Sequence, residues 1–236
     1  MVTPQHIGIV GCSAEGAALC YRTICVEGQQ LFGPYAHPEV SIHTHSLASY
    51  LRCIDADNWA GVGELMLSSA HKLAQTGADF LICADNTIHR ALPSVHARLP
   101  LPWIHIADVV ADEAIRRRFQ RLGLLGTRWL VESSVYTDVL AARGLECVRP
   151  PDHDRVAISR IIMEQLVNGL VTADALTCFQ RVAERLQAES CDAVILGCTE
   201  LPLLANDTNS PLPVLDSTRL LARAALRRAV GAAHGG

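Results

Sequence analysis

The sequence lacks any uninterrupted apolar run close to the roughly 20 residues that a membrane helix needs. Its first residues have neither the basic stretch nor the cleavage site of a secretory signal. Basic runs are also scarce, because Arg116–Arg118 is the longest one and the formal net charge is -4. We therefore expect a cytoplasmic protein that binds neither membranes nor nucleic acid.

Cysteine pairs at metal-binding or redox spacing are missing as well. The chain has 9 cysteines and no Cys-x-x-Cys motif, and an odd number does not suit a disulfide framework. This usage favours a reducing compartment. With 50% apolar and 19% charged residues, the 236-residue chain can bury a sizeable core as one large domain or two small ones.

Internal repetition decides between these two possibilities. Three segments recur in the same order at nearly the same offset, each reading as a buried strand followed by a turn. The pairs are His6–Ser13 with Arg121–Arg128, Gly77–Thr87 with Ser190–Glu200, and Leu99–Ile106 with Ser210–Ser217. A helical spacing of apolar residues occupies segments between them, namely Trp59–Gln75, Val156–Leu170 and Asp174–Ala188.

Apolar strands alternating with such helices predict an α/β protein built twice, as two pseudo-symmetric domains with doubly wound parallel sheets. We expect residues 1–101 to form the first domain, joined by residues 214–236 that return at the C-terminus. Residues 102–213 are expected to form the second domain.

Polar side chains follow the predicted strands, where ligands bind in open parallel sheets. These side chains are Ser13, Asp85, Thr127 and Cys198. Two domains facing each other would bring them to one cleft, with an acid/base group from each half on opposite faces of a bound molecule. In the alternative interpretation, Asp85 is only a helix N-cap and Cys198 a packed core thiol.

Four stretches resemble the aspartate/glutamate racemase superfamily of cofactor-independent amino-acid racemases. They are Ile7–Gly11, Asn86–His89, Leu124–Arg128 and, most specifically, Gly197–Glu200. The resemblance covers nearly the whole chain. It implies two pseudo-symmetric α/β domains with the active site between them, a homodimer, and two cysteines that remove and deliver the α-proton on opposite faces of the substrate.

The sequence departs from this family at several places. The first family cysteine is replaced by Asp85, and Cys83 lies two residues earlier, where a strand side chain is buried. A basic residue that holds the side-chain carboxylate in aspartate-specific members has no counterpart, because the matching stretch shows Val156, with Arg155 and Arg160 only nearby. Specificity for dicarboxylic amino acids does not follow from the resemblance.

We predict a racemase that inverts an α-carbon by proton transfer between Asp85 and Cys198, with aspartate and glutamate among the candidate substrates. The unperturbed pKa values, about 3.9 for an aspartate carboxyl and about 8.5 for a cysteine thiol, differ widely. Burial of Asp85 would therefore have to raise its pKa toward that of the thiol. The expected substrate contacts are Ser13, Asn86, Thr87, Thr127, Thr199 and Glu200. No cofactor and no metal are expected.

Other functions stay open from the sequence. His43 and His45 on one strand face, with the acidic segment Asp152–Asp154, raise the possibility of a metal hydrolase. A decarboxylase or isomerase of a small carboxylic acid could use Cys198 alone as proton donor. A catalytically silent relative could bind a carboxylate without proton exchange.

Overall fold

The structure is a computed structural model that describes residues 4–231. Strands and helices alternate along the chain, with short 3₁₀ segments at Thr87–Ala91, His96–Arg98 and Leu166–Asn168. The strands are β1 (Ile7–Gly11), β2 (Val40–Thr44), β3 (Phe80–Ile82), β4 (Trp103–Ile104), β5 (Arg121–Leu125), β6 (Glu146–Val148), β7 (Ala193–Leu196) and β8 (Val214–Asp216). The helices are α1 (Ala14–Phe32), α2 (Leu47–Asp55), α3 (Trp59–Gln75), α4 (Leu92–Val95), α5 (Ile106–Arg116), α6 (Arg128–Val131), α7 (Thr137–Ala141), α8 (Asp152–Glu164), α9 (Ala173–Ala188), α10 (Leu201–Leu204) and α11 (Ser217–Gly231).

The described chain divides into two compact units. The first contains residues 4–106 and 218–231, and the second contains residues 107–217. Each unit holds a four-stranded, all-parallel sheet, with strand order β2-β1-β3-β4 in the first and β6-β5-β7-β8 in the second. The predicted fold class, a parallel α/β architecture built twice, is confirmed. Within residues 4–231 no helix has the length and apolar character to cross a membrane.

Local sequence explains where these elements begin and end. Helix α3 spans Trp59–Gln75, as its apolar spacing predicts, and Asn58 caps it by accepting the Gly61 N–H at 2.9 Å. After its last turn the chain reverses at Gly77, whose φ of 88° suits a residue without a side chain. The reversal delivers the chain into β3, which is buried along its whole length.

Two short strands differ from the expected domain boundaries. Strand β4 pairs with β3, placing Trp103 opposite Leu81 in the first sheet, and β8 pairs with β7, placing Val214 opposite Val194 in the second. The expectation assigned residues 102–213 to the second domain and residues 214–236 to the first. Strand β4 therefore belongs to the first unit and β8 to the second, the reverse of the expectation. Each strand joins the sheet in which its backbone finds hydrogen-bond partners, on the preceding strand of its own repeat.

Helix α11 packs within the first unit although it follows the second unit in sequence. The Gln5 N–H donates to the carbonyl oxygen of Ala229 at 3.2 Å. Arg223 of this helix forms a bidentate pair with Glu27 of α1, at 2.7 and 2.9 Å. The chain therefore leaves the first unit, forms the second, and returns to add one helix to the first.

Candidate active site

In the first unit, the predicted site residues follow two neighbouring strands. Ser13 comes after β1 and Asp85–Thr87 come after β3, and these strands pair in parallel, so their carboxyl ends lie at one sheet edge. Ser13 is buried and is the N-cap of α1, where its hydroxyl accepts the Gly16 N–H at 3.1 Å. A capping role is thus established for Ser13, and contact with substrate stays a prediction.

Asp85 begins a tight turn rather than a long helix. Its Oδ1 accepts the Ile88 N–H at 3.3 Å, which is the N-cap type of contact that the alternative interpretation proposed. The side chain is only half-buried, whereas Asn86 next to it is 2% exposed and donates from Nδ2 to the Ala84 carbonyl at 3.4 Å. The Asp85 carboxyl is held at the strand end with part of its surface accessible.

Two further side chains, Cys83 and Tyr50, lie close to this turn. Cys83 is fully buried, and burial together with the nearby Asp85 carboxylate raises its pKa well above the usual thiol value. It is a protonated core thiol and cannot replace the missing family cysteine as a base. Tyr50, from α2, is also fully buried. Its burial raises the pKa of its hydroxyl, and electrostatic repulsion from Cys12, Cys83 and Asp85 raises it further.

A buried histidine supports the Asp85 turn from beneath. His89 is 1% exposed, and its Nδ1 lies 2.8 Å from the carbonyl oxygen of Asp85. Trp103 Nε1 approaches its Nε2 at 3.4 Å, and the His105 ring stacks edge-on with centroids 4.8 Å apart. Burial, reinforced by His105, lowers the pKa of His89 well below its ordinary value.

This lowered pKa predicts acid sensitivity. Below about pH 6.5 the unfolded chain protonates His89 while the folded chain does not, so the free energy of unfolding falls as pH falls, by up to about 1.4 kcal/mol per pH unit. Urea denaturation from pH 7.5 to 5.0, followed by circular dichroism, measures the slope. The His89→Asn variant should have a shallower slope, and the exposed-site control His71→Gln should keep the wild-type one. Equal slopes in all three proteins would contradict the prediction.

In the second unit, the matching positions follow β5 and β7, which also pair in parallel. Thr127 is buried and is the N-cap of α6, its Oγ1 accepting the Leu130 N–H at 3.4 Å. Cys198, Thr199 and Glu200 follow β7, and all three are buried. The structure therefore groups the predicted residues into two sets, one at a sheet edge of each unit.

Cys198 and Glu200 form a hydrogen-bonded pair within the second set. The Cys198 thiol donates to Glu200 Oε2 at 2.9 Å, with the two residues 8% and 3% exposed. Cys198 belongs to the buried apolar cluster of the second unit, which also contains Leu125 and Leu201. This hydrogen bond orients the sulfur of Cys198. Core packing alone does not account for this contact.

Gly197 gives the Cys198 turn its tight packing. A Cβ at this position would lie 2.6 Å from Leu130 Cδ2 and 2.8 Å from the backbone oxygen of Leu125. The Gly197→Ala variant is therefore expected to lose about 1–3 kcal/mol of unfolding free energy, since the backbone oxygen cannot move aside cheaply. Thermal denaturation measures the loss. Gly144→Ala is not a suitable control because its φ is 72°, but Gly231→Ala, with open space around it, should change little.

The histidines considered as metal ligands have other neighbours. His43 contacts Ser69 Oγ at 2.9 Å and Lys72 Nζ at 3.1 Å, and His45 contacts Ser68 Oγ at 3.2 Å. In the second unit, Arg185 bonds both His153, at 2.7 Å, and the fully buried Asp154. Across residues 4–231 no three His, Cys, Asp or Glu side chains converge as a metal site would require.

Sequence comparison identifies related proteins. The sequence model of the Asp/Glu/Hydantoin racemase family matches residues 9–225. A Bacillus subtilis (strain 168) protein named broad specificity amino-acid racemase RacX is 28% identical over 200 residues, covering 83% of this chain and 85% of that protein.

Comparison of folds agrees with this match. The crystal structure of an aspartate racemase homologue from Pyrococcus horikoshii OT3 superimposes with a TM-score of 0.82 at 28% identity, covering 95% of this chain and 99% of that one. A glutamate racemase isoform from Bacillus anthracis, RacE1, shares the fold with a TM-score of 0.68 at 20% identity, covering 97% of this chain and 82% of that one.

Proposed function

The chain belongs to the Asp/Glu/hydantoin racemase family, and on this premise we propose that it is a cofactor-independent amino-acid racemase with Asp85 and Cys198 as its acid/base pair. The observation that carries the proposal is the buried hydrogen bond from the Cys198 thiol to Glu200, at the repeat position equivalent to Asp85. An ordinary core cysteine has no need of a buried carboxylate partner. The relative named as a broad specificity amino-acid racemase supports the same reaction class.

In the proposed reaction, one proton leaves the α-carbon and another arrives on the opposite face. The Asp85 carboxylate removes the α-proton, and the electron pair of the C–H bond delocalises into the substrate carboxylate. The Cys198 thiol then gives its proton to the carbanion, so that Asp85 ends protonated and Cys198 ends as a thiolate. The opposite enantiomer reacts from this second state, with the two groups exchanging roles.

Glu200 is assigned a part in both directions. A thiolate formed 2.9 Å from a carboxylate in an apolar setting is repelled by the like charge, which makes it a stronger base. It therefore removes the α-proton of the second enantiomer readily. The same repulsion makes the thiol a weaker acid, so the pairing favours the direction in which Cys198 removes the α-proton.

The remaining polar side chains are proposed to bind the amino-acid headgroup. Ser13, Asn86 and Thr87 lie at the sheet edge of the first unit, and Thr127 and Thr199 at that of the second. Their hydroxyl and amide groups suit an α-carboxylate, which accepts several hydrogen bonds. Aspartate and glutamate are candidate substrates together with neutral amino acids, because the stretch around Val156 lacks the basic residue of aspartate-specific members.

We further propose a homodimer in the cytoplasm. The nine cysteines, all of them within residues 4–231, form no disulfide bond there, which suits a reducing compartment. Sedimentation equilibrium tests the dimer, and a concentration-independent monomer mass would contradict it.

Incubation with single L- and D-amino acids in D₂O tests the function directly. Proton NMR should show loss of the α-proton signal, and chiral chromatography should show inversion, with no metal or cofactor added. Inversion without solvent deuterium at the α-carbon would reject the two-base mechanism. Release of carbon dioxide from a carboxylic-acid substrate would point instead to a decarboxylase that uses Cys198 alone, and binding without exchange to a silent relative.

A further inference from the structure

The turn at Asp85 contacts the imidazole of His89, and the neighbours of this ring fix which of its nitrogens carries the proton. His89 Nδ1 lies 2.8 Å from the carbonyl oxygen of Asp85, an atom that can only accept. Trp103 Nε1 lies 3.4 Å from His89 Nε2, and an indole nitrogen can only donate. The imidazole must therefore carry its proton on Nδ1 and present a bare Nε2, a neutral ring with both nitrogens engaged.

We propose that His89, oriented by Trp103, is a positioning residue that fixes the peptide unit of Asp85 and thereby aims its carboxyl group. The inference rests on the proposed function for the catalytic role of Asp85. The carbonyl oxygen of Asp85 accepts a hydrogen bond from His89 Nδ1 and a weaker one from the Cys83 thiol at 3.8 Å. The carboxyl of the same residue is tied to the Ile88 N–H, so turn and side chain are fixed together.

The internal repeat separates this role from a need of the fold. The repeat offset that matches Asp85 with Cys198 matches His89 with Pro202, which has no donor to offer. The second unit nevertheless folds a helical turn at the same place, α10 at Leu201–Leu204. A turn after this strand therefore forms without an imidazole, and the histidine is specific to the half that carries the aspartate.

The surroundings of His89 keep the ring neutral. His105 faces it edge-on from the residue after β4, and Trp103 faces it from β4 itself. The groups on its own turn are the Asp85 carbonyl and, behind that, the buried Cys83 thiol. Asp85 contacts His89 through its backbone carbonyl oxygen. A neutral ring holds its two hydrogen bonds without attracting the carboxylate away from substrate.

Three variants of the full-length protein test the proposal. His89→Asn keeps a donor near the Nδ1 position, and His89→Leu has a similar size but no donor. Trp103→Phe removes only the indole N–H. Because an aim error of about an ångström can cost about 100-fold in rate, His89→Leu should lower kcat by roughly 10- to 100-fold with little change in KM. His89→Asn should restore most of that loss, and Trp103→Phe should have a smaller effect than His89→Leu.

Two measurements on the same proteins do not depend on activity. Long-range ¹H–¹⁵N NMR of the wild type should show the Nδ1–H tautomer of His89, and a protonated Nε2 would overturn the proposal. Amide hydrogen exchange at Ile88 should accelerate in His89→Leu and not in His89→Asn. Equal impairment of both variants, or full activity of His89→Leu, would also overturn it. If the wild type racemises nothing, the proposed function fails, while the tautomer and exchange results still decide whether His89 holds the turn.

Discussion

Replacing Cys198 by alanine is expected to lower racemisation by about 10²- to 10⁴-fold, the range by which a positioned acid/base group accelerates proton transfer. The loss should extend to α-proton exchange from both enantiomers. In the proposed reaction Cys198 is the acid in one direction and the base in the other, so inversion cannot be completed without it. Asp85 alone is not expected to sustain exchange on its own face, because a carboxylate is a far weaker base than a thiolate. Chiral chromatography and proton NMR in D₂O measure the two losses separately.

Matched variants distinguish this effect from a change in packing. Cys198→Ser keeps the shape of the side chain but replaces the thiol by a far weaker acid, and it should be nearly as impaired as Cys198→Ala. Cys178→Ala, in a half-buried cysteine of α9, should keep wild-type activity. Near-normal exchange by both Cys198 variants would remove Cys198 from the mechanism.

The Asp85→Asn variant is expected to separate the two half-reactions. The amide cannot take a proton at neutral pH, so racemisation should fall by about 10²- to 10⁴-fold. Exchange should survive for the one enantiomer whose α-proton faces Cys198, because the thiolate can remove and return a proton on its own side. NMR in D₂O with each pure enantiomer measures this asymmetry.

A second substitution at the same position makes the test sharper. Asp85→Cys introduces the residue that the family carries there, and it should support exchange from both enantiomers with a more symmetric pair of rates. Asp55→Asn, at an exposed site on α2, should leave both rates unchanged. Symmetric loss of exchange from both enantiomers in Asp85→Asn would show that Asp85 binds substrate rather than acting on one face.

Repetition made the fold predictable from the sequence. A strand of one half has its counterpart in the other. The apolar segment at Trp103–Ile104 is too short to predict a strand by itself, but its repeat at Val214–Asp216 supports that prediction. Apolar periodicity located α3 without error, because the capping residue Asn58 and the reversal at Gly77 enclose it. Periodicity could not say which sheet the two edge strands join, since backbone pairing leaves no trace in side-chain type.

The candidate site was accessible to sequence reasoning only in part. Asp85 and Cys198 were found because they end equivalent strands. The contact of Cys198 with Glu200 spans two residues, and residue type alone does not show whether such a glutamate faces the thiol or a substrate. Tyr50 gave no signal, because it comes from a helix remote in sequence and approaches Asp85 only after folding. The contact between His89 and Trp103 likewise depends on the pairing of β3 with β4.

The return of α11 to the first unit bears on how the protein is made. A ribosome completes all four strands of residues 107–217 before it releases Ser217–Gly231, so the unit begun first is finished last. Until then Glu27 of α1 lacks its ion-pair partner, Arg223. The unit that carries Asp85 also lacks helix α11, so part of its surface is still exposed. Released chains truncated shortly before residue 217 should thus contain a protease-resistant second unit and a protease-sensitive first one.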